Sequence, residues 1–254
     1  MESEQGRNGA PSTVAVVVPC YNEEKRLDLK EVEKLLLGDG VEVILVDDGS
    51  SDGTRGLLES CANQLGPRVM AHALDENHGK AEAVRAGLRL GIARGADAVG
   101  YLDADMSTSP EEMLALIELL RNRNARVVLG SRVRLLGHDV QRSAPRHYLG
   151  RLFATAASLI LDLPVYDTQC GAKVFRADER FRAAIAEPFS SRWAFDVELL
   201  SRLTAGPDGL TGGELLEVPL QRWEDRGGSK LGLVAMLGAG VDLLRIAMGR
   251  EESR

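Results

Sequence analysis

The chain has 254 residues, of which 44% are hydrophobic and 27% are charged, as in an ordinary soluble globular protein. This length is sufficient for one large domain with a substantial buried core. The formal net charge of −7 argues against a general nucleic-acid-binding protein, because such proteins carry a basic face. The three cysteines, Cys20, Cys61 and Cys170, are scattered without metal-ligand spacing, which is typical of reduced thiols in the cytoplasm.

The first predicted strand follows a polar N-terminal stretch. Residues 1–12 contain no apolar signal segment, and we expect them to form a disordered lead-in. Residues 14–18 are a continuous apolar run, which predicts a parallel strand buried on both faces. The run stops at the polar sequence Pro-Cys-Tyr-Asn-Glu-Glu over residues 19–24, and a helix with apolar positions through Leu37 follows.

The same order of strand, polar loop and helix recurs twice more. The predicted elements are a strand over 41–46, a loop over 47–54, a helix over about 55–65, a strand over 68–73, a loop over 77–80 and a helix over 81–94. A fifth strand is predicted over 125–129, after the strand that ends at Asp103. Strand, loop and helix in alternation predict a mostly parallel sheet that is covered by helices.

The fourth predicted strand ends in two carboxylates one residue apart, Asp103 and Asp105. Alternation along an extended backbone places both on one side, so both can face one hard cation. Such a cation, Mg²⁺ or Mn²⁺, takes one or two protein carboxylates together with oxygens of a diphosphate. The alternative is that this stretch only leads into a helix cap, because Ser and Thr at residues 107–109 precede Pro110.

The polar loops all follow the carboxyl ends of predicted strands. Right-handed crossovers bring such loops to one edge of a parallel sheet, where open α/β sheets bind their ligands. There Asp48 can accept hydrogen bonds from a ribose or a base, and Lys80 can meet a phosphate as a point charge. Asp, Asn and Gly also favour plain turns, which is the alternative for any single loop. Three such loops together with the paired carboxylates favour a ligand site.

Four motifs of the first half occur in a particular order. They are Val-Pro-Cys-Tyr-Asn-Glu-Glu, Val-Asp-Asp-Gly-Ser-Ser-Asp-Gly-Thr, Asn-His-Gly-Lys and Asp-Ala-Asp. Together they resemble the nucleotide-sugar half of glycosyltransferase family 2, which implies a single-domain GT-A fold. By this resemblance, Lys80 lies near a diphosphate, and Asp103 and Asp105 hold a divalent metal, Mg²⁺ or Mn²⁺. The residues that the resemblance assigns to the nucleoside are Pro19, Tyr21, Glu23 and Asp48.

The second half carries two further motifs, Asp-Thr-Gln-Cys-Gly at residues 167–171 and Trp-Ala-Phe-Asp-Val-Glu-Leu-Leu at residues 193–200. They are similar to blocks of the dolichyl-phosphate β-glucosyltransferases and their prokaryotic polyprenyl-phosphate relatives. The resemblance implies inverting, metal-dependent transfer of a hexose to a lipid phosphate, with UDP-glucose favoured over a GDP-sugar as the donor. Two alternatives stay open: a soluble hydroxyl or phosphate acceptor, and a nucleotide-sugar-binding protein without transfer activity.

Two catalytic residues are expected, Asp105 and Asp167. A cation held at Asp105 stabilises the charge of the departing diphosphate. By resemblance, Asp167 is the base or the carboxylate that orients the acceptor, with Gln169 as its support; the alternative is a turn or cap residue. Arg132 and Arg146 are candidates for the acceptor's phosphate, because a guanidinium offers planar, bidentate recognition. Ordinary surface solvation is the alternative for Arg146.

The remaining expectations concern five other positions. Asp196 is expected to face the acceptor, and Trp193 either stacks on the sugar or belongs to the core. By resemblance, Ser229 and Lys230 belong to a loop over the donor diphosphate. Met106 stands where these relatives usually have glycine, which can change how the loop after Asp105 folds or what it coordinates.

The predicted organisation is one GT-A domain over 13–230 and a C-terminal amphipathic helix and tail over 231–254. Within the domain we expect a nucleotide-sugar half over about 13–132 and an acceptor half over about 133–230. These halves follow from the order of the motifs along the chain.

Two apolar segments bear on membrane attachment. Residues 152–163 follow several arginines, an order that suits a helix lying in a membrane interface. Residues 231–248 approach the length of a bilayer span, but Asp242 and Arg245 interrupt them, which favours a surface-lying or self-association helix. A buried core helix is the alternative for each segment. We therefore expect a cytoplasmic protein with peripheral attachment to the membrane face, and homo-oligomers.

Overall fold

The computed structural model describes residues 12–141, 144–191, 193–224 and 233–252. The predicted lead-in therefore lies almost wholly outside the described residues, and Ser229 and Lys230 do so entirely. Arg146 belongs to a described helix, but its side chain lies outside the described part.

The first half alternates strands and helices as predicted. Its elements are β1 (Val14–Cys20), α1 (Leu29–Leu35), β2 (Val41–Asp47), α2 (Thr54–Leu65), β3 (Val69–Ala73), α3 (Lys80–Ala93), β4 (Ala98–Leu102) and α4 (Pro110–Asn122). The cap predicted before Pro110 is confirmed, because the Ser109 hydroxyl accepts a hydrogen bond from the backbone N–H of Glu112. The cap and the carboxylates of the preceding turn are adjacent features, so both expectations for this stretch are compatible.

The second half is less regular. Its elements are β5 (Val127–Ser131), β6 (Asp139–Gln141), α5 (Ala144–Leu161), β7 (Ala172–Arg176), α6 (Glu179–Ala184), α7 (Phe195–Thr204), β8 (Leu215–Pro219), β9 (Arg222–Glu224) and α8 (Leu233–Glu252). Strands β6 and β9 pair with each other in a separate two-stranded ribbon.

Seven strands form one sheet in the order β3-β2-β1-β4-β7-β5-β8. All neighbours are parallel except β7, which runs antiparallel to both β4 and β5. Alternate residues of β1 belong to two different core clusters, with Val16 in one and Val17 in the other. Both faces of the sheet are therefore covered, which explains the continuous apolar run of β1.

Helices α5 and α8 pack against each other and against α7. Each helix has a buried side, with Leu161 on α5 and Leu243 on α8. Each also exposes apolar side chains on its other side; these are Leu152, Leu159, Val241, Leu244 and Met248. Among the helices that the structure describes, none combines the length and hydropathy that crossing a bilayer requires.

Candidate active site

A cleft of about 470 Å³ opens at the carboxyl ends of β1, β2 and β4, at the edge of the sheet where the sequence predicts the ligand site. Predicted site residues supply much of its lining; these are Pro19, Tyr21, Glu23, Asp48, Lys80, Asp103, Asp105 and Trp193. Strands that are neighbours in the sheet bring these loops together, although the loops are far apart in sequence.

The paired carboxylates lie on a tight turn directly after β4. The N–H of Asp103 donates to the carbonyl of Gly171 (3.0 Å), and the N–H of Met106 donates back to the carbonyl of Asp103 (3.0 Å). Asp105 accepts a hydrogen bond from the N–H of Ser107 through Oδ1 (2.9 Å). Met106 closes the turn with φ of +50°, a left-handed conformation that glycine adopts without strain, and its side chain is buried. The turn thus forms with methionine in the position where the resemblance expects glycine.

Lys80 begins α3 and faces the carboxylate turn. Its Nζ lies 2.6 Å from Oδ1 of Asp103 and 5.9 Å from the centre of the Phe195 ring. Burial alone would lower the pKa of Lys80, but the negative charges of Asp103 and Asp196 raise it above its usual value. Lys80 is therefore a cation at the mouth of the site, where it can meet an anionic group of a ligand.

The cleft is rich in negative charge. Burial raises the pKa of Glu23, and the neighbouring charges of Asp105 and Asp103 raise it further, while Arg26 at 3.1 Å opposes the shift. Among the described residues, no group of three or more His, Cys, Asp or Glu side chains is arranged to hold a metal ion. Asp103 and Asp105 nevertheless bring carboxylate oxygens to the cleft, and such oxygens are the ligand type that hard cations prefer.

Asp48 is buried, and its carboxylate organises the loop that precedes Lys80. It accepts hydrogen bonds from the N–H groups of His78 (2.9 Å) and Gly79 (2.9 Å) and from the side-chain amide of Asn77 (3.1 Å). The residue predicted to contact the nucleoside thus also fixes the start of α3. Asp48 is also one of the residues that line the cleft.

Asp167 and Arg132 form a bidentate ion pair that is almost fully buried. The distances are 2.7 Å from Nε to Oδ2 and 2.8 Å from Nη2 to Oδ1. The backbone N–H groups of Arg132 (3.0 Å) and Gln169 (3.2 Å) also donate to this carboxylate. Burial would lower the pKa of Arg132, but the charges of Asp167 and, more weakly, Asp103 raise it. Two residues predicted for the acceptor side thus bind each other, and neither is among the residues that line the cleft.

Trp193 lines the cleft, and its side chain is 46% exposed, so the core alternative for this residue is wrong. Its backbone carbonyl accepts a hydrogen bond from Nε2 of Gln169 (3.1 Å). Gln169 thus connects the motif that contains Asp167 to the segment that carries the indole.

Asp196 is not on the cleft wall. It is buried at the start of α7, where it pairs with the ammonium of Lys173 (2.7 Å) and accepts a hydrogen bond from the hydroxyl of Tyr101. Lys173 also donates to the carbonyl of Cys170. The alternation of polar and apolar residues around Asp196 predicts that its side chain lies on one face of the segment, but not which residues it meets there. In the structure it meets the buried ammonium of Lys173 on β7.

Two residues that contact predicted site residues were not themselves predicted. A Cβ atom on Gly171 would lie closer than 3.0 Å to the carboxyl carbon and both oxygens of Asp103, so only glycine leaves room for that carboxylate. Lys173, the buried partner of Asp196, is the other, and its signal in the sequence is a charged residue between the apolar Ala172 and Val174 of β7. The signal for Gly171 is its position at the end of the Asp167 motif.

Comparison with known proteins agrees with this geometry. Residues 15–180 match the family described as glycosyl transferase family 2. Dolichyl-phosphate beta-glucosyltransferase ALG5C of Trichomonas vaginalis is 32% identical over 94% of this chain and 72% of its own length. Glycosyltransferase AglD of Haloferax volcanii is 29% identical over 91% of this chain, but this chain spans only 36% of AglD.

A solved structure supports the fold. Glucosyl-3-phosphoglycerate synthase of Mycobacterium tuberculosis, in complex with Mn²⁺, UDP and glucosyl-3-phosphoglycerate, superposes with a TM-score of 0.67. The similarity covers 93% of this chain and 80% of the synthase at 21% sequence identity. The mostly parallel sheet, the cleft at its carboxyl edge and the family match together show that the chain belongs to glycosyltransferase family 2 and is a glycosyltransferase with the GT-A fold.

Proposed function

We propose that this glycosyltransferase transfers a hexose from a nucleotide sugar to a prenyl phosphate with inversion at the anomeric carbon. The name of ALG5C supports glucose and a prenyl-phosphate acceptor, and the UDP bound by the mycobacterial synthase supports a UDP-sugar donor. In the reaction, an acceptor phosphate oxygen bonds to the anomeric carbon while the bond from that carbon to the nucleoside diphosphate breaks.

The hydrogen bonds that Asp167 accepts are the observation that favours a phosphate over a hydroxyl acceptor. A carboxylate offers about four lone-pair sites, and Asp167 accepts four hydrogen bonds from Arg132 and Gln169. A base for a hydroxyl acceptor needs a free lone pair within reach of the proton. A phosphate oxygen is already anionic near neutral pH and needs little base catalysis. In this proposal, Asp167 orients Arg132, and Arg132 binds the acceptor phosphate.

On the donor side, Lys80 meets the diphosphate, and Trp193 meets the hexose. The ammonium of Lys80 is held toward the cleft by Asp103. The half-exposed indole of Trp193 offers an apolar face that matches the C–H face of a sugar ring. Pro19, near the end of β1, and Tyr21 and Glu23, which follow it, are proposed to contact the nucleoside.

Asp103 and Asp105 would hold a divalent cation, Mg²⁺ or Mn²⁺. Such a cation supplies positive charge that neutralises the diphosphate as it leaves. The protein contributes the turn that keeps both carboxylates at the cleft and the ammonium of Lys80 beside them.

Thermal unfolding with added ligands tests the donor site. We expect UDP and UDP-glucose to raise the melting temperature in the presence of Mn²⁺, more than GDP and GDP-mannose do, because a ligand that binds only the folded state stabilises it. The shift should disappear in Asp105→Ala and persist in Asp208→Ala, which removes an exposed carboxylate outside the cleft. Equal melting temperatures with and without every nucleotide would overturn the proposed donor site.

A transfer assay tests the acceptor. With UDP-glucose as donor, we expect transfer to a short prenyl phosphate and none to the corresponding prenol. Arg132→Gln should raise KM for the prenyl phosphate more than KM for UDP-glucose, because Arg132 is assigned to the acceptor. Transfer to the prenol, or to a soluble phosphate compound in preference to the prenyl phosphate, would contradict the proposed acceptor.

Peripheral attachment to a membrane is the proposed role of the exposed apolar side chains of α5 and α8. Leu152 and Leu159 lie on the same face of α5, and Leu244 and Met248 lie on the same face of α8. We expect the protein to float with vesicles that contain an anionic lipid and a prenyl phosphate, and we expect the variant with Leu152→Lys and Leu159→Lys to float less. If the protein instead sediments as a dimer in the absence of vesicles and does not bind to vesicles when they are added, these helix faces bind a second copy of the chain.

A further inference from the structure

Helix α8 carries a carboxylate on its buried side. The side chain of Asp242 is only 12% exposed and lies next to Leu243 and close to Ile246, which are both buried. Burial of a charge among apolar side chains is costly unless hydrogen bonds compensate. Asp242 has a loose contact with Arg245, at 3.6 Å, so its main compensation must come from elsewhere.

That compensation comes from Ser191, which precedes α7. The Ser191 hydroxyl donates to Oδ2 of Asp242 at 2.6 Å. The same hydroxyl oxygen accepts a hydrogen bond from the backbone N–H of Ala194, also at 2.6 Å. Hydrogen bonds to an ionised carboxylate are among the strong ones in proteins. Ser191 therefore ties the C-terminal helix to the backbone directly after Trp193.

Trp193 lies between the two ends of this connection. Its backbone carbonyl is held from the other side by Gln169, and its indole lines the cleft. The next aromatic residue, Phe195, faces Lys80. Side-chain contacts from the Asp167 motif, from α8 and from the carboxylate of Glu198 in α7 thus fix the segment that carries the indole.

We infer that Asp242 is a positioning residue which, through Ser191, holds the indole of Trp193 in the cleft for the sugar of the donor. The role of the indole rests on the proposed function, whereas the connection from Asp242 to Trp193 is a property of the protein alone. The C-terminal helix is therefore part of the construction of the donor site, although it carries none of the family motifs.

Fluorescence of Trp193 tests the connection without any substrate. The chain has two tryptophans, so Trp223→Phe leaves Trp193 as the only one, and all variants are compared in that background. We expect Asp242→Ala and Ser191→Ala to increase quenching by acrylamide and to shift the emission. Asp242→Asn should remain close to the parent, because its amide oxygen can still accept the Ser191 hydrogen bond.

Ile246→Ala is the matched control, because it weakens the packing of α8 one turn further along without removing the hydrogen bond. We expect it to lower the melting temperature and leave the quenching of Trp193 unchanged. If Asp242→Ala leaves the quenching unchanged, or if Ile246→Ala increases it equally, Asp242 only attaches the helix and the inference is wrong.

Kinetics with UDP-glucose and a short prenyl phosphate then test the consequence for the site. In Asp242→Ala, KM for UDP-glucose should rise roughly threefold to tenfold, as loss of one hydrogen bond predicts, while kcat changes less. A change in fluorescence without this rise would show that Trp193 moves but does not bind the donor sugar. That result overturns the donor-site part of the inference, while binding of UDP with Mn²⁺ tests the proposed function separately.

Discussion

Gly171 leaves the space that the carboxylate of Asp103 occupies. A Cβ atom on Gly171 would approach the carboxyl carbon and both oxygens of Asp103 to less than 3.0 Å, and its carbonyl accepts the N–H of Asp103. The glycine that ends the Asp167 motif and the first aspartate of the pair therefore depend on each other. The relationship links a motif of the second half to the turn after β4.

Substitution of this glycine should disturb the proposed donor site more than the fold. We expect Gly171→Ala to push the carboxylate of Asp103 out of place and to weaken the binding of UDP with Mn²⁺ by about tenfold or more, the effect typical of disturbed support for a metal ligand. Isothermal titration calorimetry measures this. Gly56→Ala is the control, because its Cβ would meet nothing within 4 Å. If Gly171→Ala binds UDP as tightly as the native protein does, the space that Gly171 leaves for the carboxylate of Asp103 is not needed for UDP binding.

We expect Arg132 and Asp167 to be strongly coupled in their effects on the free energy of unfolding. Asp167→Ala leaves a buried guanidinium without its partner, so we expect it to lower the free energy of unfolding by roughly 3–5 kcal/mol. The double variant with Arg132→Met should lose much less than the sum of the single variants. Chemical denaturation measures all three.

The exposed pair of Arg55 and Glu59 is the matched control for that cycle. Glu59→Ala should change the free energy of unfolding by less than about 1 kcal/mol, because exposed ion pairs contribute little. A small effect of Asp167→Ala, similar to that of Glu59→Ala, would show that the buried pair is not coupled.

Substitutions of Met106 can separate the destabilising effect of its backbone strain from the stabilising effect of its buried side chain. Its left-handed φ favours glycine by about 1 kcal/mol, whereas its buried side chain stabilises the fold by roughly 2–3 kcal/mol. We therefore expect both Met106→Gly and Met106→Ala to be less stable than the native protein. Because alanine keeps the strain, Met106→Ala should be the less stable of the two. Urea unfolding decides, and the opposite order of the two variants would rule out strain at this position.

The buried thiol of Cys170 should make the folded protein less stable as the pH becomes alkaline. Burial, followed by the charge of Asp167, raises the pKa of this thiol from 9.0 to about 11. Between these values the unfolded chain releases a proton that the folded protein retains, so the free energy of unfolding falls as pH rises from 9 toward 11. In Cys170→Ala this contribution is absent. We expect the stability difference between native protein and variant to narrow over that interval; a constant difference would mean that the thiol does not titrate as stated.

The first half of the fold could be predicted because each of its signals is local. The apolar run of β1, the polar loop after it and the cap at Ser109 are each readable within a few residues. Parallel strands then bring the loops to one edge by general rules of connection. The structure accordingly confirms the mostly parallel sheet, and Lys80 and Asp103, which follow two different strands, share one cleft.

The second half could not be predicted to the same depth, because its contacts join residues that are far apart in the chain. Asp167 and Arg132 each have an independent role in the sequence interpretation, and only the fold shows that they bind each other. Asp196 was expected to face the site, but its partner Lys173 lies on β7, and the short sequence of this strand does not reveal its direction. Pairing and strand direction are properties of the sheet as a whole.

The antiparallel strand β7 also determines when the sheet can close. Leu102 of β4 and Ala172 of β7 are neighbours in the register, although 70 residues separate them in the chain. Strand β5 pairs only with β7 and β8 within the described residues, so it too has no neighbour until later residues are synthesised. A nascent chain therefore carries the middle of its sheet as two open edges, which are prone to aggregation, until β7 inserts between them.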